Sequence, residues 1–137
     1  MDIYFAASIR GGRSFLENYK KIVAYLHEKG HRVLTEHIVL DDVDEYENQF
    51  KAGEVFRRDI DWLNSSQRLI ADVSNPSLGV GYEICHALAK KIPTLCVYQN
   101  GVTVSKMITG NNSPYLQTFA YQNFAGLFAE IERFIGK

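Results

Sequence analysis

Short apolar runs alternate with longer segments of helical periodicity along this chain of 137 residues. The apolar runs predict five strands, at Asp2–Ala6, 32–35, 68–73, 93–98 and Leu116–Tyr121. The segments between and after the strands predict helices at 14–30, 50–64, 79–90 and from Asn123 onward. An acidic segment, 41–48, predicts a loop. Such alternation is typical of a parallel sheet with helices on both faces.

The helix boundaries carry recognisable end signals. Ser14 followed by Glu17 predicts a capping box at the start of the first helix, and Gly30 is a natural stop at its end. Asn123 predicts an N-cap for the last helix.

Five strands in a chain of this length predict a single α/β domain over residues 1–137. We expect a flavodoxin-like or Rossmann-like three-layer sandwich with a mostly parallel sheet in the order 2-1-3-4-5. In that order the winding reverses between the first and third strands, and ligands bind beyond the carboxyl ends of those strands. The loops at this position are 8–13 and 74–81, which are the loops richest in glycine and serine.

Composition narrows the class of ligand. Fifteen basic and 16 acidic residues give a net charge of −1, which provides no long-range attraction to a nucleic acid polymer or a membrane surface. We expect no signal peptide ahead of the first strand, and no apolar run of the sequence approaches the roughly 20 residues of a membrane span. Cys85 and Cys96 are expected to be buried free thiols, which suits a cytoplasmic protein.

Both loops have the composition of a phosphate site. Ser77 and Gly79 lie where a helix begins, and a helix N-terminus offers free N–H groups and partial positive charge. A plain serine-capped turn is the alternative for that loop. Ser8 can donate a hydroxyl, Arg10 a guanidinium fork and Gly11 a bare amide. Since neither loop matches GxxxxGK[ST] or a complete GxGxxG, a small monophosphate fits better than ATP or NAD.

Two carboxylates accompany these loops. Glu83 is predicted in the first turn of the helix that follows the second loop, where its simplest role is to complement the helix dipole. The dipole is expected to favour the ionised form of this carboxyl group. Asp59 lies at the edge of an apolar stripe formed by Phe56, Ile60 and Leu63, and a salt bridge to a neighbouring arginine is an equally good interpretation. Two carboxylates beside a sugar can instead perform glycoside chemistry.

Two further polar side chains are candidates. Tyr4 points to the opposite face of the first strand from Ile3 and Phe5, and it is either a core aromatic or part of a site. His37 follows the second strand as a loop residue or a ligand contact, whereas Trp62 is most simply a packing residue.

Four segments together resemble the 2′-deoxynucleoside 5′-phosphate N-hydrolases, within the wider nucleoside 2-deoxyribosyltransferase group. They are IYFAASIRGGR at 3–13, VLTEHI at 33–38, RDIDWL at 58–63 and SNPSLGVGYEI at 74–84. The resemblance implies that Glu83 is the nucleophile, that Asp59 protonates or orients the leaving base, and that Tyr4 lies beside them.

The same resemblance implies the other contacts. It places the phosphate on Ser8, Arg10, Ser77 and Gly79. We further expect Ile9, Gly11 and His37 to be substrate-binding residues. It also implies a homodimer in which Ser105 reaches the phosphate in the neighbouring site. Deoxyribose 5-phosphate would be released after water cleaves the sugar ester, and neither a metal nor another cofactor is implied.

Three alternatives remain open from the sequence. A nucleoside 2-deoxyribosyltransferase would pass the sugar to a second base, but it would not need a 5′-phosphate pocket. A ribonucleotide N-glycosidase of the CMP type would act on the ribo analogue. A non-catalytic nucleotide-binding module would not need both Glu83 and Asp59 at the cleft.

Overall fold

The computed structural model describes residues 1–9 and 12–137, and its described part contains one five-stranded sheet. The strands are β1 (Asp2–Ala6), β2 (Arg32–Val33), β3 (Arg68–Asp72), β4 (Thr94–Gln99) and β5 (Leu116–Tyr121). The helices are α1 (Leu16–Glu28), α2 (Val43–Asn48), α3 (Ala52–Ser65), α4 (Leu78–Ala89), α5 (Lys106–Thr109) and α6 (Phe124–Ile135). A short 3₁₀ helix spans Glu36–Val39.

The sheet has the order β2-β1-β3-β4-β5 and every pairing is parallel, so the predicted order and fold class are confirmed. In the central register Tyr4 pairs with Leu69 and Ala6 with Ala71. The carboxyl ends of β1 and β3 therefore lie side by side, and the chain crosses to opposite faces after them.

Alternating strand residues pack into two separate hydrophobic cores, one on each face of the sheet. Ile3 and Phe5 face α1 and α6, whose buried side chains include Ile22 and Leu127. Tyr4 and Ala6 face α3 and α4, in a cluster with buried side chains that include Leu63, Val80 and Ile84. This confirms that Tyr4 points away from Ile3 and Phe5, and it places the tyrosine beneath the two helices that carry the candidate carboxylates.

Several predicted boundaries are wrong for local reasons. The segment predicted as an acidic loop contains α2, because Val43 and Glu47 are spaced to face inward together and are both buried. The second strand ends at Val33, since the Thr35 hydroxyl both accepts from Phe5 N at 3.0 Å and donates to Phe5 O at 2.6 Å, replacing strand pairing.

The predicted capping box of the first helix does not form. The helix begins at Leu16 with no side-chain cap, and Glu17 instead lies 3.5 Å from Lys20 as an exposed ion pair. The predicted cap of α6 is confirmed, because Asn123 accepts a hydrogen bond from Gly126 N at 2.8 Å. Over residues 1–9 and 12–137, no helix combines the length and apolar character that crossing a bilayer requires.

Two predicted buried side chains are exposed. Phe56, assigned to the apolar stripe of α3, is 55% exposed, and its ring meets that of Tyr82 at a centroid distance of 6.0 Å. Cys96 is buried as predicted, but Cys85 is exposed on α4. Phe56 and Cys85 line the cleft between α3 and α4 and are not part of the core beneath it. A periodic apolar pattern cannot distinguish a cleft-lining side chain from a core side chain.

Candidate active site

A cleft of about 1660 Å³ opens at the carboxyl ends of β1 and β3, where the winding of the sheet reverses. It is bounded by the segment after β1, the loop before α4, and the facing sides of α3 and α4. Eight of the candidate residues line it: Tyr4, Ile9, His37, Asp59, Ser77, Gly79, Glu83 and Ser105. The topology therefore brings together side chains that lie far apart along the chain.

Of the three remaining candidate residues, all in the first loop, Ser8 is the one that belongs to the described part of the chain. Arg10 and Gly11 lie outside the described residues. Ser8 is fully buried, and its hydroxyl has no hydrogen-bond partner among the residues that the structure describes. A buried hydroxyl without a partner retains unused hydrogen-bonding capacity beside this loop.

Glu83 lies in the second turn of α4, not in the first turn as predicted, because the helix begins at Leu78. Burial, followed by the negative charge of Asp59, raises the pKa of Glu83 from 4.5 to about 8. The expectation that the helix dipole favours its ionised form is therefore corrected. The helix dipole acts mainly within the first turn. Because Glu83 lies beyond that turn, desolvation outweighs the dipole and raises the pKa of its carboxyl group.

Tyr4 lies directly against this carboxylate. Its hydroxyl forms a hydrogen-bond interaction with Glu83 that opposes the rise in the glutamate pKa. Burial, followed by the charges of Glu83 and Asp59, raises the pKa of Tyr4 well above its usual range. The phenol consequently keeps its proton and acts as the donor to the carboxylate.

Asp59 forms an ion pair with its neighbour Arg58 and also lines the cleft. Arg58 Nε donates to Asp59 Oδ1 at 2.9 Å, which is the predicted arginine salt bridge. The carboxyl group also lines the cleft near Glu83. Burial raises the pKa of Asp59, and the positive charge of Arg58 opposes that rise. Two carboxyl groups with raised pKa values therefore share one cleft, an arrangement typical of acid–base chemistry.

His37 belongs to a charged cluster that sequence reasoning missed. Its Nε2 lies 2.9 Å from Glu47 Oε1, and Arg58 Nη2 donates to the same oxygen at 2.9 Å. Burial and the charge of Arg58 lower the pKa of His37, which keeps the ring neutral near pH 7. Glu47 was overlooked because its segment was assigned to a loop, although its spacing from Val43 is helical.

The loop before α4 has the geometry of a helix cap. Ser77 Oγ accepts a hydrogen bond from Val80 N at 3.3 Å. A β-carbon added at Gly79 would lie 3.9 Å from Ser77 Oγ and 4.0 Å from Glu83 Oε1. The glycine therefore leaves open space between the helix N-terminus and the carboxylate, where a ligand can approach the backbone.

Ser105 and Trp62 occupy contrasting positions. Ser105 is exposed and caps α5 by accepting from Met107 N at 3.2 Å. Trp62 is half-buried and packs against the core on the cleft side of the sheet, which matches its expected packing role. Within residues 1–9 and 12–137, no three His, Cys, Asp or Glu side chains are arranged to hold a metal ion.

Comparison with known proteins assigns this chain to a family. The sequence profile described as nucleoside 2-deoxyribosyltransferase matches residues 3–124. The chain belongs to the nucleoside 2-deoxyribosyltransferase family. Within it, the chain is 41% identical over 133 residues to a Methanosarcina mazei protein, covering 97% of this chain and 83% of that one. That relative is named as a candidate 2′-deoxynucleoside 5′-phosphate N-hydrolase 1.

A vertebrate relative has a related name. The 5-hydroxymethyl-dUMP N-hydrolase of Danio rerio is 40% identical over 126 residues, covering 89% of this chain and 87% of the relative. The resemblance drawn from the four sequence motifs is thereby confirmed.

Two solved structures share the fold. The CMP N-glycosidase of Clostridium botulinum superposes with a TM-score of 0.72 at 16% identity, covering 98% of this chain and 99% of that one. The 2-deoxyribosyltransferase of Bacillus psychrosaccharolyticus gives a TM-score of 0.65 at 16% identity, with 96% and 90% covered. At this level of identity the likeness defines the architecture alone.

Proposed function

We propose that this protein hydrolyses the N-glycosidic bond of 2′-deoxynucleoside 5′-monophosphates, releasing the free base and 2-deoxyribose 5-phosphate. The observation that carries the proposal is the grouping of Tyr4, Asp59 and Glu83 in one cleft beside the N-terminus of α4. The names of relatives at about 40% identity support hydrolysis of nucleotides. We further propose that residues 1–137 act as one domain, and that the protein is cytoplasmic, where its free cysteines suit a reducing environment.

The proposed reaction proceeds through a covalent sugar ester on Glu83. A Glu83 carboxylate oxygen bonds to C1′ while the C1′–N bond breaks, and its electron pair passes to the leaving base. Asp59 gives that base a proton, and Tyr4 steadies the attacking carboxylate by donating a hydrogen bond. Water then attacks C1′, releases the sugar phosphate and restores the Glu83 carboxylate, while its proton returns to Asp59.

The proposed reaction requires particular charge states of the two carboxyl groups. Glu83 must be ionised and Asp59 must hold a proton, so the pair carries one proton between them. Burial raises the pKa of each group, and the charge of Asp59 further raises that of Glu83 to about 8, so the fraction of the enzyme with Glu83 ionised should increase as the pH rises toward that value.

The phosphate is proposed to lie at the N-terminus of α4. Ser77 and the amide of Gly79 are its proposed partners, because Ser77 caps α4 and a helix N-terminus favours anions. Ser8 and Arg10 are the proposed partners from the first loop, while Ile9, Gly11 and His37 are the proposed contacts to the rest of the nucleotide.

A homodimer would complete the rim of this cleft. The rim carries large exposed apolar side chains, with Leu78 97%, Met107 81% and Phe56 55% exposed. Apolar patches of this kind on a soluble protein favour association. We propose that a second copy covers them and contributes its Ser105 to the phosphate.

The test is an assay for released base with dGMP, 5-hydroxymethyl-dUMP, deoxyguanosine and GMP as substrates. The proposal requires turnover of the deoxynucleotides, with deoxyguanosine and GMP much slower. Addition of a second free base tests for a transferase, since a new nucleotide would then appear. Absence of any base release would leave only nucleotide binding and would refute the enzyme assignment.

For the dimer, mixing the inactive variants Glu83→Ala and Ser105→Ala should partly restore activity, because one hybrid site would be intact. A monomer in sedimentation experiments with full activity would contradict the shared site.

A further inference from the structure

Arg58 and Glu47 form a charged cluster behind Asp59 that the proposed chemistry does not use directly. Arg58 Nε donates to Asp59 Oδ1 at 2.9 Å, and its Nη2 donates to Glu47 Oε1 at 2.9 Å. His37 Nε2 lies 2.9 Å from that same Glu47 oxygen. Residues from α2, α3 and the 3₁₀ helix thereby converge on one carboxylate oxygen.

Aromatic rings hold the guanidinium in place. The Arg58 Cζ atom lies 4.9 Å from the ring centroid of Trp62, 5.4 Å from that of Phe50 and 6.0 Å from that of Tyr46. Only 17% of the Arg58 side chain is exposed, so these contacts and its hydrogen bonds leave it little freedom. Its orientation is therefore built into the fold.

The cluster is a poor device for stability alone. Glu47 Oε2 and Arg58 Nη1 are buried, and neither has a hydrogen-bond partner within residues 1–9 and 12–137. Unsatisfied atoms on buried charged groups are costly, and a buried ion pair often contributes less stability than apolar residues of similar size. A charged pair kept at the edge of a reactive cleft therefore indicates a functional role.

We propose that Arg58, anchored by Glu47, is a positioning residue that fixes the orientation of the Asp59 carboxyl group and balances its charge against that of Glu83. The inference rests on the proposed function, because it assigns a purpose to the orientation of Asp59. A purely structural role would not predict opposite electrostatic effects on Asp59. The positive charge of Arg58 lowers the pKa of Asp59, whereas the negative charge of Glu47 raises it.

The charged and titratable groups around Asp59 come from every element packed near it. They are Arg58 on its own helix, Glu47 on α2, His37 on the 3₁₀ helix, Glu83 on α4 and Tyr4 on β1. Arg58 lowers the pKa of Asp59, whereas the charge of Glu47 raises the pKa of both Asp59 and Glu83.

The direct test is a ¹³C NMR titration of side-chain carboxyl groups in the enzyme without substrate, which does not depend on activity. Arg58→Gln should raise the pKa of Asp59 by about one pH unit, because it removes a neighbouring positive charge. Glu47→Gln should lower the pKa of Asp59 and of Glu83, while its amide oxygen can still accept from Arg58. Arg57→Gln, at the exposed neighbouring position, should match the wild type.

Shifts of Asp59 in the same direction in both variants, or no shift in either, would overturn the proposal. Circular dichroism confirms that each variant is folded. If Arg58→Gln does not fold, the single variants Arg58→Lys and Glu47→Gln are compared instead. The pKa of Asp59 should stay at its wild-type value in Arg58→Lys and should fall in Glu47→Gln. An unchanged value in Glu47→Gln would then refute the charge balance.

Kinetics on dGMP separate orientation from charge. Arg58→Gln should lower kcat about 10- to 100-fold with little change in KM, as for a misplaced catalytic group. Arg58→Lys restores the charge but not the two-pronged geometry, so it should keep the pKa of Asp59 and still lose kcat. Wild-type kcat in both variants would disprove positioning. No turnover by the wild type would instead refute the proposed function. The NMR titration would still test whether Arg58 and Glu47 act on the pKa of Asp59, because it needs no activity.

Discussion

The hydroxyl of Tyr4 on β1 faces the carboxylate of Glu83 on α4, and it donates to the group that the proposed reaction uses as nucleophile. The two side chains meet because β1 and β3 are neighbours in the sheet and α4 follows β3 directly. Burial of this pair raises both pKa values, so the proton remains on the tyrosine while the hydrogen bond favours the ionised glutamate.

The nucleophile assignment predicts that Glu83→Ala loses turnover but still binds dGMP, because the phosphate carries much of the affinity. Rapid-quench mass spectrometry of the wild type with a slow substrate analogue should find a deoxyribose phosphate adduct on Glu83. Near-normal turnover in Glu83→Ala would exclude the covalent mechanism.

The hydrogen bond from Tyr4 predicts a shift of the pH profile. Because Glu83 acts in its ionised form, kcat/KM should rise with pH toward about 8 in the wild type. Tyr4→Phe removes a donor that lowers this pKa, so the rise should move to higher pH and activity at pH 7 should fall. The measurement is kcat/KM on dGMP from pH 5 to pH 10, and an unmoved profile would show that Tyr4 does not act on Glu83.

Asp59 as the proton donor predicts a large kinetic effect at one position of α3. Asp59→Asn should reduce kcat about 10²- to 10⁴-fold, the range for a lost general acid–base group. Asp61→Asn, two residues along the same helix and exposed, is the matched control and should keep wild-type kcat. Equal losses in the two variants would indicate damage to the helix.

The raised pKa of Glu83 also predicts how stability depends on pH. The folded state holds a proton on Glu83 up to about pH 8, whereas the unfolded chain loses it near 4.5, so unfolding releases a proton between these values. Stability should therefore fall as pH rises through this window. In calorimetry from pH 5 to pH 8, Glu83→Gln should show a smaller fall in Tm than the wild type. Parallel curves for the two proteins would contradict the buried carboxyl group.

The phosphate site predicts a preference for nucleotides over nucleosides. Each charge-assisted hydrogen bond contributes about 1.5–3 kcal/mol, so losing two or three should lower kcat/KM on deoxyguanosine by orders of magnitude relative to dGMP. Ser77→Ala and Arg10→Ala should narrow that gap by slowing dGMP alone. Equal rates on both substrates in the wild type would show that the two loops do not bind phosphate.

Local pattern and topology rules determined the architecture from the sequence alone. Strand residues reveal themselves by their apolar runs, and the order 2-1-3-4-5 followed from the alternation of strands and helices, with the cleft placed at the winding reversal. That placement pointed to Glu83, whereas Asp59 was selected by its position at the edge of an apolar stripe and Tyr4 by strand alternation. The roles expected of the three side chains came from the family resemblance. The helix α2 was not predicted, because its two buried residues, Val43 and Glu47, lie in an acidic segment whose composition is typical of a solvent-exposed loop.

Only the tertiary structure decided the charge states and the partners of those side chains. Glu83 was expected to ionise readily in a first helical turn, yet burial and the nearby charge of Asp59 raise its pKa to about 8. The contact between Glu47 on α2 and Arg58 on α3 was likewise visible only in the folded structure. A pKa depends on solvent exclusion and on distances between groups that are remote in sequence. Neither quantity can be obtained from the local pattern of apolar and polar residues.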